Sequence, residues 1–251
     1  MPFRTASRPG RDDHPNEDFA AVGADCAVVL DGVTAPPGID NGCSHGVAWF
    51  AQALGGRLLA GIETGLPLNG ALAGAITGVA ALHADTCDLT RQESPSVTVV
   101  AVRVRADVLE YLVLSDSVLL VEQGDGVRLV ADTRLDDLRR RLAAEGGTVP
   151  VRTLRNVPGG FWTAGADPRA ADEAVTGTLS PGRFAAMTDG AARAVEVFGA
   201  CTWEEAFALV MTEGPDALVD LVRTLERADP EGRGHPRGKA HDDATVVTRS
   251  P

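Results

Sequence analysis

Three apolar runs in this chain each stop abruptly at an aspartate, and no other feature limits its fold as much. Ala27-Val28-Val29-Leu30 runs into Asp31-Gly32, Leu112-Val113-Leu114 into Ser115-Asp116, and Phe184-Ala185-Ala186-Met187-Thr188 into Asp189-Gly190. Short uninterrupted apolar runs predict buried strands. A carboxylate at the end of such a strand is costly to desolvate unless a cation or a hydrogen-bond donor compensates it. The fold must therefore bring several strand ends to places where acids are useful.

Composition narrows the class. The 251 residues, 44% of them hydrophobic, suit one α+β domain spanning 1–251 with a sizeable core. A net charge of −12 without a basic cluster argues against a nucleic-acid partner. No stretch approaches the roughly 18 apolar residues of a membrane span. The polar N-terminus lacks the apolar core of a secretory signal. Cys26, Cys43, Cys87 and Cys201 form no C-x-x-C pair, so neither a zinc ribbon nor a redox motif is expected. A cytoplasmic protein with free thiols is the expectation. Lys239 is the single lysine, read as compositional bias toward arginine.

In chain order, residues 1–15 predict an irregular lead-in containing Pro2, Pro9, Gly10 and Pro15. Asn16-Glu17-Asp18 then precedes a short strand, Phe19 to Val22. A Pro- and Gly-bearing loop follows Asp31-Gly32. Apolar residues at three- and four-residue spacing predict two helices between 43 and 88. Val97–Val104 and Val108–Leu114 predict strands, and Val118–Val121 and Val127–Val130 a hairpin around Gly124-Asp125-Gly126. A helix with Leu135, Leu138 and Leu142 inward, and Arg139, Arg140 and Arg141 on a solvated face, ends at Gly146-Gly147. Residues 148–182 have little periodicity beyond room for a short strand, and Phe161-Trp162 there reads as local core or groove wall. Thr202-Trp203-Glu204-Glu205 is a capping box, Gly214-Pro215 opens a second helix, and Ala244–Thr248 is a final strand.

The acids at element ends are Glu17, Asp18, Asp31, Asp116, Asp189, Asp242 and Asp243. Carboxylates with a carbonyl beside glycine form the ligand set of hard cations such as Mg²⁺ or Mn²⁺; soft ligands are missing from these positions. Converging acids without cations would raise one another's pKa values. Cations relieve that repulsion and activate water toward phosphorus.

The order of these segments resembles the metal-dependent, type 2C-like (PPM) Ser/Thr protein phosphatases. Asn16-Glu17-Asp18 matches the family's opening motif and Leu30-Asp31-Gly32 its first strand end. Ser96-Val97-Thr98 resembles its Ser-x-Thr strand, and Ser115-Asp116-Ser117 its Gly-Asp-Ser turn. Thr188-Asp189-Gly190 and Asp242-Asp243-Ala244-Thr245 match the later motifs. The resemblance spans residues 16–248. It implies a four-layer α-β-β-α sandwich of two antiparallel sheets flanked by helices. It also implies a binuclear Mn²⁺ or Mg²⁺ centre that hydrolyses phosphoserine and phosphothreonine in protein substrates. By resemblance Asp31 bridges the two cations with the Gly32 carbonyl as a further ligand, and Asp189 and Asp242 complete the direct set. Glu17 and Asp18 act through waters, and Asp116 holds a third, weaker cation.

Two positions depart from the family pattern. The arginine that grips phosphate five residues before the first metal-site aspartate, Asp18, is replaced by Asp13, leaving Arg11, Arg155 or Arg8 for that role. A histidine acid after Asp-Gly is replaced by Val33-Thr34-Ala35-Pro36-Pro37, leaving His45 as a substitute or as an ordinary packed residue. His83 reads as packed, His14 as exposed, and His241 as a neighbour of a ligand. A catalytically weak, phosphatase-like scaffold that binds a protein or phosphorylated ligand is the alternative.

Overall fold

A computed structural model describes residues 2–36, 38–147 and 149–250. Pro37, at the end of the altered loop, and Thr148, which opens the aperiodic segment, lie outside the described residues, as do Met1 and Pro251. The described residues form ten strands in two five-stranded antiparallel sheets. One sheet orders β1 (Phe3–Arg8), β10 (Ala244–Arg249), β9 (Phe184–Met187), β6 (Val118–Gln123) and β7 (Gly126–Ala131). The other orders β2 (Phe19–Val22), β3 (Cys26–Gly32), β4 (Val97–Val104), β5 (Leu109–Leu114) and β8 (Val175–Leu179).

Side chains alternate across a strand, so β3 shows how the layers stack. Ala27 and Val29 enter a core between the sheets, where they join Val100 and Val113 of their own sheet and Leu119, Phe184 and Val247 of the other. Val28 and Leu30 face outward onto α1 (Val47–Glu63) and α2 (Leu68–His83), through Leu54, Leu58, Leu72 and Ile76. Beyond the second sheet, α4 (Asp189–Glu196), α5 (Trp203–Thr212) and α6 (Pro215–Ala228) pack on Leu120, Ala185 and Val246. The result is the α-β-β-α sandwich. Strands buried on both faces explain the unbroken apolar runs.

Local signals hold where the chemistry is explicit. The Thr202 hydroxyl accepts from the Glu205 amide at 3.2 Å, and the Glu205 carboxylate accepts from the Thr202 amide at 2.8 Å, closing the capping box of α5. Pro215 occupies the first turn of α6. Helix α3 (Arg134–Ala144) ends where the Gly147 amide returns to the Leu142 carbonyl at 2.8 Å. No helix among the described residues is long and apolar enough to cross a membrane.

The expected irregular lead-in is corrected. Phe3–Arg8 is an edge strand, paired with β10 from Phe3 opposite Arg249 to Arg8 opposite Ala244. An edge strand needs backbone pairing more than an apolar face, and here only Ala6 is fully buried. Edge strand β8 lies in the aperiodic segment for the same reason. Asp189 does not simply end a strand; it starts α4, whose buried Gly190, Ala191, Ala192 and Ala194 leave no stripe of large residues to read.

Candidate active site

Strand register alone carries the acids to one end of the sandwich. Gly32 lies opposite Val97, and Leu114 opposite Val99, so the end of β3, the start of β4 and the end of β5 coincide. In the other sheet Val118 and Val246 both lie opposite Met187. The turn Ser115–Ser117 crosses between the sheets at that same end. Asp31, Asp116, Asp189 and Asp242 thereby line one cleft of about 380 Å³.

Tight packing fixes this geometry. A Cβ on Gly32 would come within 2.5 Å of Val47 and 2.7 Å of Glu17. One on Gly190 would meet the Asp243 carbonyl at 1.8 Å. Asp243 accepts from the amides of Gly10 at 2.7 Å and Glu17 at 2.6 Å, tying the N-terminal segment to the start of β10. Asp243 is thus an organiser of the backbone.

Electrostatically the acids are crowded. Desolvation, then the charges of Asp189, Asp18 and Asp116, holds the Asp31 carboxyl well above the ordinary range. Desolvation and Asp242 raise Asp189, against a hydrogen bond shared with Asp31. Desolvation and Asp189 push Asp116 up to about 6. Asp18 is raised to about 8 by desolvation, against hydrogen bonds from Thr245 and Thr188. Its Oδ2 accepts from the Thr188 hydroxyl at 2.9 Å, whereas its buried Oδ1 has no protein partner. An all-oxygen donor set of mutually repelling carboxylates, one with an orphaned oxygen, fits hard divalent cations.

Asp242 differs from the other acids. Arg193 Nη2 donates to it at 2.7 Å and Lys239 Nζ at 2.8 Å. Lys239 also donates to the Thr34 hydroxyl at 3.3 Å. Against desolvation, which lowers it, Asp242, Asp31 and Asp189 raise the Lys239 pKa above its ordinary value. Behind Asp242, Arg193 Nη1 donates to Glu226 Oε1 at 2.8 Å, and Arg223 to Glu226 Oε2 at 2.6 Å.

The remaining sequence candidates fall in different places. Glu17 accepts from the Thr34 hydroxyl and lines an adjoining pocket of about 640 Å³ with Arg11, His14 and His241. Arg11 is bound by Asp13 at 2.7 Å on the surface and does not line the acidic cleft. Arg155 is buried, bonded to the Gln92 carbonyl and to Ser96, at a third pocket. Arg8 is engaged by Asp216 and Asp220. His45 lines neither the cleft nor the adjoining pocket; it stacks on Trp49 with ring centroids 4.3 Å apart. Its assignment as a stand-in acid is therefore withdrawn, and the histidine-free loop explains why none reaches the centre.

The cations that do line the cleft are Arg139, Arg152, Arg193 and Lys239. Arg139 is exposed, as expected of a solvated face, and it also stands 3.9 Å from Asp116 Oδ2. Arg193 follows Asp189 by one helical turn, a spacing visible only once α4 is recognised. Lys239 precedes Asp242 by three residues, and its uniqueness in the chain was the available signal. Phe161 lines the cleft over Leu135 and Leu138, while Trp162 packs into the core beneath α1 and α2.

No family model matches the sequence, and no curated protein matches it. Solved structures do match by fold. The Ser/Thr phosphatase PstP of Mycobacterium tuberculosis superposes with a TM-score of 0.63 at 17% identity, covering 98% of this chain and 97% of that one. The PPM Ser/Thr phosphatase MsPP of Mycobacterium smegmatis, solved with cacodylate, gives 0.60 at 17% identity over 99% and 97%. Stp1 of Staphylococcus aureus gives 0.60 at 13% identity over 99% and 94%. One PstP catalytic-domain structure contains two manganese ions. At these identities the likeness establishes the PPM phosphatase fold across nearly the whole chain.

Proposed function

We propose that this protein is a metal-dependent hydrolase of phosphoserine and phosphothreonine monoesters. The observation that carries the reading is the meeting of Asp31, Asp116, Asp189 and Asp242, from separate strand ends, in one cleft of a PPM phosphatase fold. Asp31, Asp189 and Asp242, with the Gly32 carbonyl, are the residues that would hold two Mn²⁺ or Mg²⁺ ions. Glu17 and Asp18 would support them through water, and Asp116 would hold a weaker third. Such ions supply an activated water and neutralise phosphoryl charge.

The chain's own residues do the rest. Arg139 and Arg152 stand at the cleft wall, where guanidinium groups can grip a phosphate in the place of the missing N-terminal arginine. Arg193 and Lys239 orient Asp242 through their hydrogen bonds to its two oxygens. A phosphorylated protein segment suits a cleft whose rim is formed by exposed arginines.

One observation favours the second reading, a phosphatase-like scaffold. Arg193 and Lys239 already neutralise Asp242, a role a cation would otherwise fill. Hydrolysis of p-nitrophenyl phosphate and of a phosphothreonine peptide with Mn²⁺ or Mg²⁺ separates the two. The enzyme reading expects turnover that falls more than about 100-fold in Asp31→Asn and Asp189→Asn, beyond the loss typical of a mere supporting residue. Bound metal with turnover no higher than in those variants would establish the scaffold.

A further inference from the structure

We propose that Cys43, His45, His83 and Cys87 form a structural zinc site, separate from the carboxylate cleft, that clamps the loop entering α1 to the end of α2. One donor atom from each of the four residues lies within 4.8 Å of all the others. The sulfurs of Cys43 and Cys87 are 3.3 Å apart. His45 Nδ1 is 3.7 Å from Cys43 Sγ and 3.4 Å from Cys87 Sγ, and His83 Nδ1 is 3.5 Å from Cys43 Sγ. Zinc–sulfur bonds of about 2.3 Å and zinc–nitrogen bonds of about 2.0–2.1 Å give a tetrahedron with edges of about 3.3–3.8 Å. Each contact falls within about half an ångström of those edges.

Sequence and local structure supply the donors in two pairs. Cys43-x-His45 precedes α1, and His83-x-x-x-Cys87 runs from the last residue of α2 into the turn after it, where the Cys87 amide donates to the His83 carbonyl at 2.9 Å. The amides of His45 and Gly46 donate to Cys43 sulfur, and the Ser44 amide to Cys87 sulfur. Such amides stabilise thiolate charge around a metal. His83 is 1% exposed, with Nδ1 turned toward Cys43 and Nε2 without a partner. Ligation through Nδ1 would give this imidazole, packed against the Trp49 and Phe50 rings, a strong partner where it otherwise has only a weak thiol contact. Two sulfurs and two imidazoles select zinc, whereas the all-oxygen cleft selects a hard cation.

The site has a structural consequence. The loop that leaves Asp31-Gly32 lines the cleft with Val33 and Thr34 and ends at this cluster. Its middle is tied to the segment after α2 by the Asp88 amide on the Gly42 carbonyl at 2.9 Å and by Arg91 on Asp40 at 3.0 Å. A metal at the cluster fixes the far end of the loop whose near end forms the cleft wall.

The test uses the full chain without a histidine tag, kept reduced and exchanged with Co²⁺. The expected result is an intense tetrahedral visible spectrum with thiolate-to-cobalt charge transfer in the near ultraviolet. Zinc displaces it at about one equivalent. The signal should persist in Asp31→Asn/Asp189→Asn and vanish in Cys43→Ser/Cys87→Ser. Absence of thiolate charge transfer in the unmodified chain would overturn the proposal. So would a Cys43–Cys87 disulfide, found by mass spectrometry after preparation under reducing conditions. The unmodified chain alone decides the matter if the cysteine variants do not fold.

Discussion

Ser115 adopts φ 67°, a left-handed conformation that costs an ordinary residue and not glycine. It stands where the resembling family has glycine, and its amide is held by Asp132 Oδ2 at 3.0 Å. The same turn carries Asp116 into the cleft lining. Ser115→Gly is expected to stabilise the chain by up to about 1 kcal/mol, read as a higher urea midpoint. The neighbouring acids give a larger effect of opposite origin. Asp31, Asp116 and Asp18 have raised pKa values in the folded state, so between pH about 4 and their folded values the native chain holds protons that the unfolded chain has released. Stability without metal must therefore fall as pH rises, through the values of about 6 for Asp116 and about 8 for Asp18. Thermal scans in chelator should give a lower Tm at pH 8 than at pH 5. Asp31→Asn should raise the pH 8 value by about 3 °C or more. A Tm independent of pH and of this substitution would mean that the acids are not crowded.

At the scale of elements, α4 and α6 carry the support of Asp242. Glu226 is fully buried and receives both Arg193 and Arg223, so Glu226→Ala strands two guanidinium groups. The expected loss is about 3–5 kcal/mol in chemical denaturation, and less for Glu226→Gln, which preserves shape and one acceptor. Arg152→Ala is expected to raise KM about tenfold with the fold intact, because a charged hydrogen bond to phosphate is lost. Steady-state kinetics check it. These elements also show what could be read from residues alone. Strands buried on both faces, such as β3 and β4, and the Thr202–Glu205 box announce themselves through apolar runs and cap chemistry. Edge strands β1 and β8 do not, because pairing on one side leaves their side chains free to be polar. Helix α4 is silent because small residues pack it closely, and with it went the role of Arg193.

Across the whole molecule, the acids were legible as a set because each flanks an apolar run, at its start or its end, yet their meeting depends on the pairing of distant segments. Two of the cleft's basic residues were not legible: Arg139 and Arg152 reach it only after α3 and the segment behind it are folded over the sheet ends. The same holds for the Cys43–Cys87 cluster, whose halves lie on either side of a helical hairpin. Everything proposed about catalysis returns to Asp31 at the end of the first buried strand. The most direct measurement is anomalous diffraction at the manganese edge from crystals soaked in Mn²⁺. The expected result is about two peaks bridged by Asp31, one of them also bound by Asp189. Ordered carboxylates with no manganese at coordination distance from Asp31 would contradict the assignment.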